Sequence, residues 1–431
     1  MVGHRTRDRL SKLGSSPSSI TVTKIFVMLL PLFLSPIVAR ELGPSDRGAY
    51  GACIAAVTLI PIVVGLGVPL AVRRRASVES YPEIVRSVYV LVPIMVVPAG
   101  LLACLVRLFF VPELPAVDSI ALVATVAIST LTVLTLSLQS VLIVKRQYLR
   151  IAGLQSVQTA FIAAGTLIGW ISGNITISWL LWSAAFGAVA AVLVGLLNIR
   201  VSPRGARVTV RAVLGEGLSY SGSQISEVAA NTVVQILAVS VIGSHESGLF
   251  AVAMTIASLP LVLGHTVGIV AFQHVAAAPK ASSYIFAAAA FRSALVLGVL
   301  ASVTLCVSTP LLIPVFFGAD YTDSVPIAII GCAGSSLLVL NYVSSQLLAA
   351  QGRGWTMTAA QLAGLCVTVV VLLILGTAFG GVGAVSSVVA GRVVTLLVSV
   401  AFMPGPKLLL VVRPADIRKA FSLLLRGKLT I

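Results

Sequence analysis

Charge is what this sequence has least of: 10% of its 431 residues are Asp, Glu, Lys or Arg, against 58% that are hydrophobic. With a mean hydropathy of +1.08, that shortage excludes an ordinary water-soluble domain. Acids are the scarcer sign, 13 against 29 Lys and Arg. Cysteine is sparse too. All five, Cys53, Cys104, Cys306, Cys332 and Cys366, fall inside apolar runs without metal-ligand spacing, so they read as small apolar filler and no metal site is expected. The chain lacks a Walker-type phosphate loop, a zinc-protease helix motif and a nucleophile elbow, so it carries no engine for ATP hydrolysis, and energy must come from ion or substrate gradients. Apolar runs without period-two alternation exclude a β-barrel. The basic, then apolar N-terminus has no small-residue cleavage pattern, and its run is too long for a signal peptide; it reads as a retained first helix.

What is present is a series of about twelve apolar runs, at 20–39, 49–72, 84–110, 117–144, 151–172, 177–199, 218–242, 249–272, 286–315, 324–350, 356–379 and 381–403. Each is long enough to cross a hydrocarbon core of about 30 Å as a helix. The formal net charge of +16 would point to nucleic acid in a soluble chain, but here the positions decide. Placing the N-terminus in the cytoplasm puts 25 of the 29 Lys and Arg on that side, leaves Arg40, Arg47 and Arg107 outside, and sets Arg392 within a span. Both ends are then cytoplasmic.

The chain also repeats itself. Leu42-Gly43-Pro44-Ser45-Asp46-Arg47-Gly48-Ala49-Tyr50 recurs ungapped as Ile242-Gly243-Ser244-His245-Glu246-Ser247-Gly248-Leu249-Phe250. Further on, Phe109, Phe110, Gln139, Arg146 and Tyr148 are echoed by Phe316, Phe317, Gln346, Arg353 and Trp355. Two halves descended from one unit follow, and in a membrane chain related halves usually mean a transporter with its substrate path between them. Six helices per half make the repeat parallel. The expected fold class is an all-α integral membrane protein in two six-helix lobes: a basic tail at 1–19, an N-lobe at 20–199, an Arg-rich linker at 200–217, a C-lobe at 218–403 and a second basic tail at 404–431. Pro31, Pro36, Pro61, Pro69, Pro93, Pro98, Pro310 and Pro314 are expected to kink their helices.

Ala39-Arg40-Glu41-Leu42-Gly43-Pro44, followed by Gly48 and Tyr50, resembles the join of helices one and two in Wzx-type polysaccharide flippases of the MOP exporter superfamily. Phe316-Phe317-Gly318 with Tyr321, and Gln346 to Arg353, are similar to the helix nine to eleven region of that group. The resemblance implies two six-helix bundles around a central cavity, and alternating-access transfer of a polyprenyl-diphosphate-linked oligosaccharide across the bacterial cytoplasmic membrane. It implies a transporter rather than an enzyme, without cofactor, served by anionic lipids, H⁺ or Na⁺ coupling and other polysaccharide assembly proteins. MurJ-like members tend to carry two further helices, which disfavours peptidoglycan precursor export. The rivals are a cation-coupled multidrug or metabolite exporter on the same scaffold, a membrane-embedded glycan polymerase or ligase, and a non-transporting scaffold.

Polar groups within spans are costly, so they are the candidates for function. Ser219, Ser223, Glu227, Asn231 and Gln235 step by four along the seventh run and give it a polar face, for cavity lining or for hydrogen bonding between helices. Glu227 and Arg392 are the deep acid and base, read as an ion pair, as an ion-coupling carboxylate, or as substrate contacts. His265 is a neutral hydrogen-bonding group or a proton relay, and Asn341 a sugar contact. Lys24, Arg73, Arg74 and Arg75 are candidate diphosphate contacts or plain topology signals. Gly43, Gly48, Gly243 and Gly248 bracket matching outer turns.

Overall fold

The computed structural model describes residues 17–76, 80–145 and 147–403. Within them the side chains of Lys24, Ser219, Ser223, Glu227 and Asn231 lie outside the described part, as do the tail residues 1–16 and 404–431. Every regular element among the described residues is helical. In chain order these are α1 (Pro17–Gly65), α2 (Val68–Arg75), α3 (Tyr81–Phe110), α4 (Ala116–Ser129), α5 (Leu131–Val144), α6 (Tyr148–Ser172), α7 (Ile177–Asn198) and α8 (Val210–Ile242). They continue with α9 (Ser244–Ala257), α10 (Leu261–Ala277), α11 (Lys280–Phe317), α12 (Ser324–Ala333), α13 (Ser335–Ala350), α14 (Gly354–Val371) and α15 (Thr377–Ala401).

Among the described residues seven helices are long and apolar enough to cross a membrane, and three bent pairs, each taken as one span, bring the number to ten. Two of the ten, Phe33–Gly65 and Gly354–Ala401, each hold a glycine with non-helical backbone, Gly43 and Gly380, so that counting each as two gives twelve. The chain is therefore an integral membrane protein. Its outward faces confirm the solvent: along α3, Ile94, Val97, Leu101, Leu105 and Leu108 are 48–66% exposed at helical spacing, an apolar stripe that suits lipid and not water.

Lipid offers little hydrophobic drive between helices, so close packing has to hold them. Glycine supplies it. Gly364 on α14 and Gly391 on α15 face each other so tightly that a Cβ on the first would stand 2.7 Å from the Gly391 carbonyl, and one on the second 2.6 Å from the Gly364 carbonyl. That hairpin turns through a π-helical segment at Leu372–Gly376 and then at Gly380, whose φ of 56° and ψ of −132° only glycine adopts readily. The Glu246 carboxylate accepts a 2.9 Å hydrogen bond from the Gly381 N–H and so caps the helix that follows the break.

Pro93 and Pro98 lie inside α3, and Pro310 and Pro314 inside α11, and both helices run on past them. The chain breaks at Leu66 and Gly67, just before Pro69, at Thr130, between Ala257 and Leu261 with Pro260 in the gap, and at Gly334. Leu66 and Gly67, with φ of 44° and 70°, leave helical space altogether.

The chain forms two compact units, residues 1–42 with 52–225, and residues 43–51 with 226–431. The first has its core where α2, α3 and α5 meet the start of α6, with Val72, Ile84, Leu138, Leu142 and Ile151 at or below 1% exposure. The second is centred on Phe291, Ala294, Val339, Val343 and Leu347 of α11 and α13.

Candidate functional site

The repeated turns adopt the same backbone. Gly43 has φ 71° and ψ 172°, Gly243 φ 85° and ψ 164°, and each is followed by the helix of its own copy. Five residues on, Gly48 and Gly248 meet within the second unit: a Cβ on Gly48 would collide with the Ser244 carbonyl, and one on Gly248 with the Pro44 carbonyl. Pro44 and Ser244 occupy the same place in the two copies, so the contact is reciprocal, each copy doing to the other what is done to it. Beside it Arg47 is buried, with its guanidinium 5.6 Å from the Tyr50 ring centroid. Burial pushes the Tyr321 phenol above its ordinary value, and the Arg47 charge works against that rise.

A second close contact lies within the first unit. A Cβ on Gly67 would strike the Gly217 carbonyl, and one on Gly217 would stand 2.6 Å from the Leu66 carbonyl, so backbone rests on backbone where α1 gives way to α2. One helix further, Arg75 Nε donates to Glu216 Oε2 at 2.5 Å, and Arg74 Nη1 lies 3.4 Å from Oε1. Two of the three arginines expected at a diphosphate are thus held by a carboxylate 141 residues from Arg75, itself only 15% exposed. Arg73 is exposed and stands apart from that pair, and the Lys24 side chain lies outside the described part. Glu216 carried no role in the sequence reading. The signal that could have found it is its isolation, an acid closing an Arg-rich linker.

Of the polar face on the seventh run, Gln235 on α8 is described. It is half-buried and pressed on Gly51, where a Cβ would come within 2.7 Å of its amide nitrogen. Ser223, Glu227 and Asn231 are placed on the α8 backbone alone, and the helix bends by 41° between Ala230 and Thr232.

Asn341 and Arg392 come together. Asn341 Nδ2 donates to the Arg392 carbonyl at 2.9 Å, its own carbonyl accepts from Ser345 Oγ at 3.0 Å, and Gln361 Nε2 donates onward to Ser345 Oγ at 3.3 Å. A polar thread therefore crosses α13, α14 and α15 inside the second unit. Asn341 Oδ1 and Arg392 Nη1 are buried without hydrogen-bond partners among the described residues, which leaves an acceptor and a donor unused in this core. His265 on α10 is not part of the thread: its ring lies 4.0 Å from that of Tyr342. No group of three or more His, Cys, Asp or Glu among the described residues could hold a metal ion.

Twelve spans, glycine-packed, with matching turns in two halves, define the class: an integral membrane protein with the fold of the MOP superfamily transporters. The chain is similar to the lipid II flippase MurJ in an inward closed conformation, 16% identical over 93% of this chain and 89% of that one, with a TM-score of 0.72. It is similar to an inward-facing multidrug resistance MATE family transporter at 13% identity, 90% and 97% coverage and a TM-score of 0.66. A MOP superfamily transporter from Pyrococcus furiosus matches at 12% identity, 94% and 96% coverage and a TM-score of 0.55. No curated protein matches in sequence. The profile of the family described as polysaccharide biosynthesis protein matches residues 13–272, and the chain belongs to that family.

Proposed function

We propose that this chain moves a polyprenyl-diphosphate-linked oligosaccharide, a precursor of cell-surface polysaccharide, across the bacterial cytoplasmic membrane by alternating access. Membership of the polysaccharide biosynthesis family carries the reading. Two close glycine contacts, Gly48 with Gly248 and Gly67 with Gly217, join segments that are far apart in sequence. The lobes are the N-lobe at 20–199 and the C-lobe at 218–403, both termini are cytoplasmic, and the path is lined by Ser223, Glu227, Asn231, Gln235, Asn341 and Arg392. Uptake of H⁺ or Na⁺ at Glu227, with His265 as relay, supplies the coupling. Lys24 and Arg73 meet the diphosphate from the cytoplasmic leaflet, and assembly proteins accept the glycan outside.

Deletion in a strain lacking a second flippase tests this. Lipid-linked glycan should accumulate on the cytoplasmic leaflet while its synthesis continues, read by lipid extraction after leaflet-selective labelling. Normal glycan in the outer leaflet would sink the proposal. The likeness to a MATE multidrug transporter favours a second reading, a cation-coupled exporter. That reading is supported if the deletion instead abolishes efflux of cationic dyes.

A further inference from the structure

Outside the residues given a transport role, two cavities combine a cation with apolar lining; in the one lined by Cys104, Leu108 and Ile120 the Arg107 guanidinium is already engaged by Ser119 Oγ, which leaves the other, at the start of the linker. It has a volume of about 510 Å³, within the range of small-molecule sites, and is lined by Tyr89, Leu134, Leu196, Arg200, Val201, Ser202 and Pro203. It lies where α3, α5 and the end of α7 meet the linker, wholly in the first unit.

The wall on the linker side is firmly built. Arg86 on α3 donates from Nε to the Ser202 carbonyl at 3.0 Å and from Nη1 to the Ala206 carbonyl at 2.8 Å. Gly205, at φ 131°, lets that guanidinium lie flat on the backbone, since a Cβ there would stand 2.8 Å from Arg86 Cζ. Ser87 Oγ donates to the Val208 carbonyl at 2.6 Å, and Tyr89 Oη to that of Val201 at 3.4 Å. The linker thus runs along the end of α3 as a fixed strap. Arg86 is consumed in holding it.

Arg200 is not consumed. It stands two residues past the end of α7, exposed at the cavity mouth, with no hydrogen bond or ion pair among the described residues. No Asp or Glu occurs between Asp118 and Glu216, a stretch that carries seven Lys and Arg. Beneath the mouth, Leu134 and Leu196 belong to spans and form an apolar floor. A cation at the water boundary above an apolar slot matches a ligand with a phosphate head and a hydrocarbon tail.

We propose that this cavity binds one anionic phospholipid of the surrounding leaflet, its phosphate on Arg200 and the head of an acyl chain on Leu134 and Leu196. The lipid would then fasten the strap between the halves from its membrane side.

The test uses the purified full chain in detergent, with short-chain phosphatidylglycerol as the probe and bound lipid counted by native mass spectrometry. One saturable equivalent is expected. Arg200→Gln should weaken it about fivefold or more, the worth of one arginine near a charged surface. Leu196→Trp, which fills the floor at a half-buried position, should weaken it as well. Arg204→Gln, an exposed linker arginine outside the cavity, should change it less than twofold. Equal loss with Arg204→Gln would mean a diffuse basic field and overturn the site. So would binding of phosphatidylcholine at equal strength, or inorganic phosphate displacing the lipid while Leu196→Trp has no effect, since that pattern belongs to a free-phosphate site.

Discussion

Glu216 is the residue on which most local structure turns. With Arg75 at 20% and Glu216 at 15% side-chain exposure, their ion pair is sheltered from water at the foot of α8. Glu216→Gln should lower stability by about 1.5 to 3 kcal/mol, the range for a hydrogen bond to a charged partner. Thermal unfolding in detergent reads the loss, and the double change with Arg75→Gln should recover most of it. Glu227 and Arg392 call for a similar cycle. If Glu227 only neutralises Arg392, either single change to Gln should cost about 3 to 5 kcal/mol, and the double mutant should regain both abundance and export. A double mutant that folds and does not export would assign Glu227 to coupling. Glu216 and Asn341 also show what sequence could reveal at this scale. Arg73 to Arg75 stood out as a cluster, yet the partner of two of them lies 141 residues away, and no local pattern predicts such a contact. Asn341 stood out as a polar residue in an apolar run. Its placement against Arg392 depends on the packing of α13 on α15, which the run itself does not encode.

At the scale of elements, glycines outside helical space govern where spans end. The boundary between the runs 356–379 and 381–403 was legible because Gly380 interrupts otherwise continuous apolar sequence, and the chain reverses there. Gly380→Ala places a Cβ in a conformation that L-residues avoid, 3.0 Å from Glu246 Oε2. It should cost about 1 to 3 kcal/mol. The measurement is the unfolding midpoint, and Gly354→Ala, where a Cβ meets nothing within 4 Å, is its control. Breaks at Thr130 and Gly334 were not legible. Both residues keep right-handed helical dihedrals, so no backbone reversal marks the break as it does at Gly380.

For the whole molecule, the parallel repeat was visible because the outer turn needs glycine at fixed places in both copies, and geometry that strict survives divergence of everything around it. The orientation proposed for the membrane rests on the 25 to 3 split of Lys and Arg. Reporter fusions at Gly205 and Ile431 should both respond from the cytoplasm, and an outward response at either would dismantle the twelve-span topology. The division of labour along the path was less legible, since it depends on which face of α8 meets which neighbour.

The reciprocal contact of Gly48 and Gly248 has an ancestral meaning. Pro44 meets Gly248 and Ser244 meets Gly48, the pattern by which two identical subunits touch across a twofold axis. A single six-helix protein could have made this contact with a second copy of itself before the two genes were joined. On that descent, a residue carried by one half alone, such as Arg392, is an asymmetry that a homodimer could never acquire.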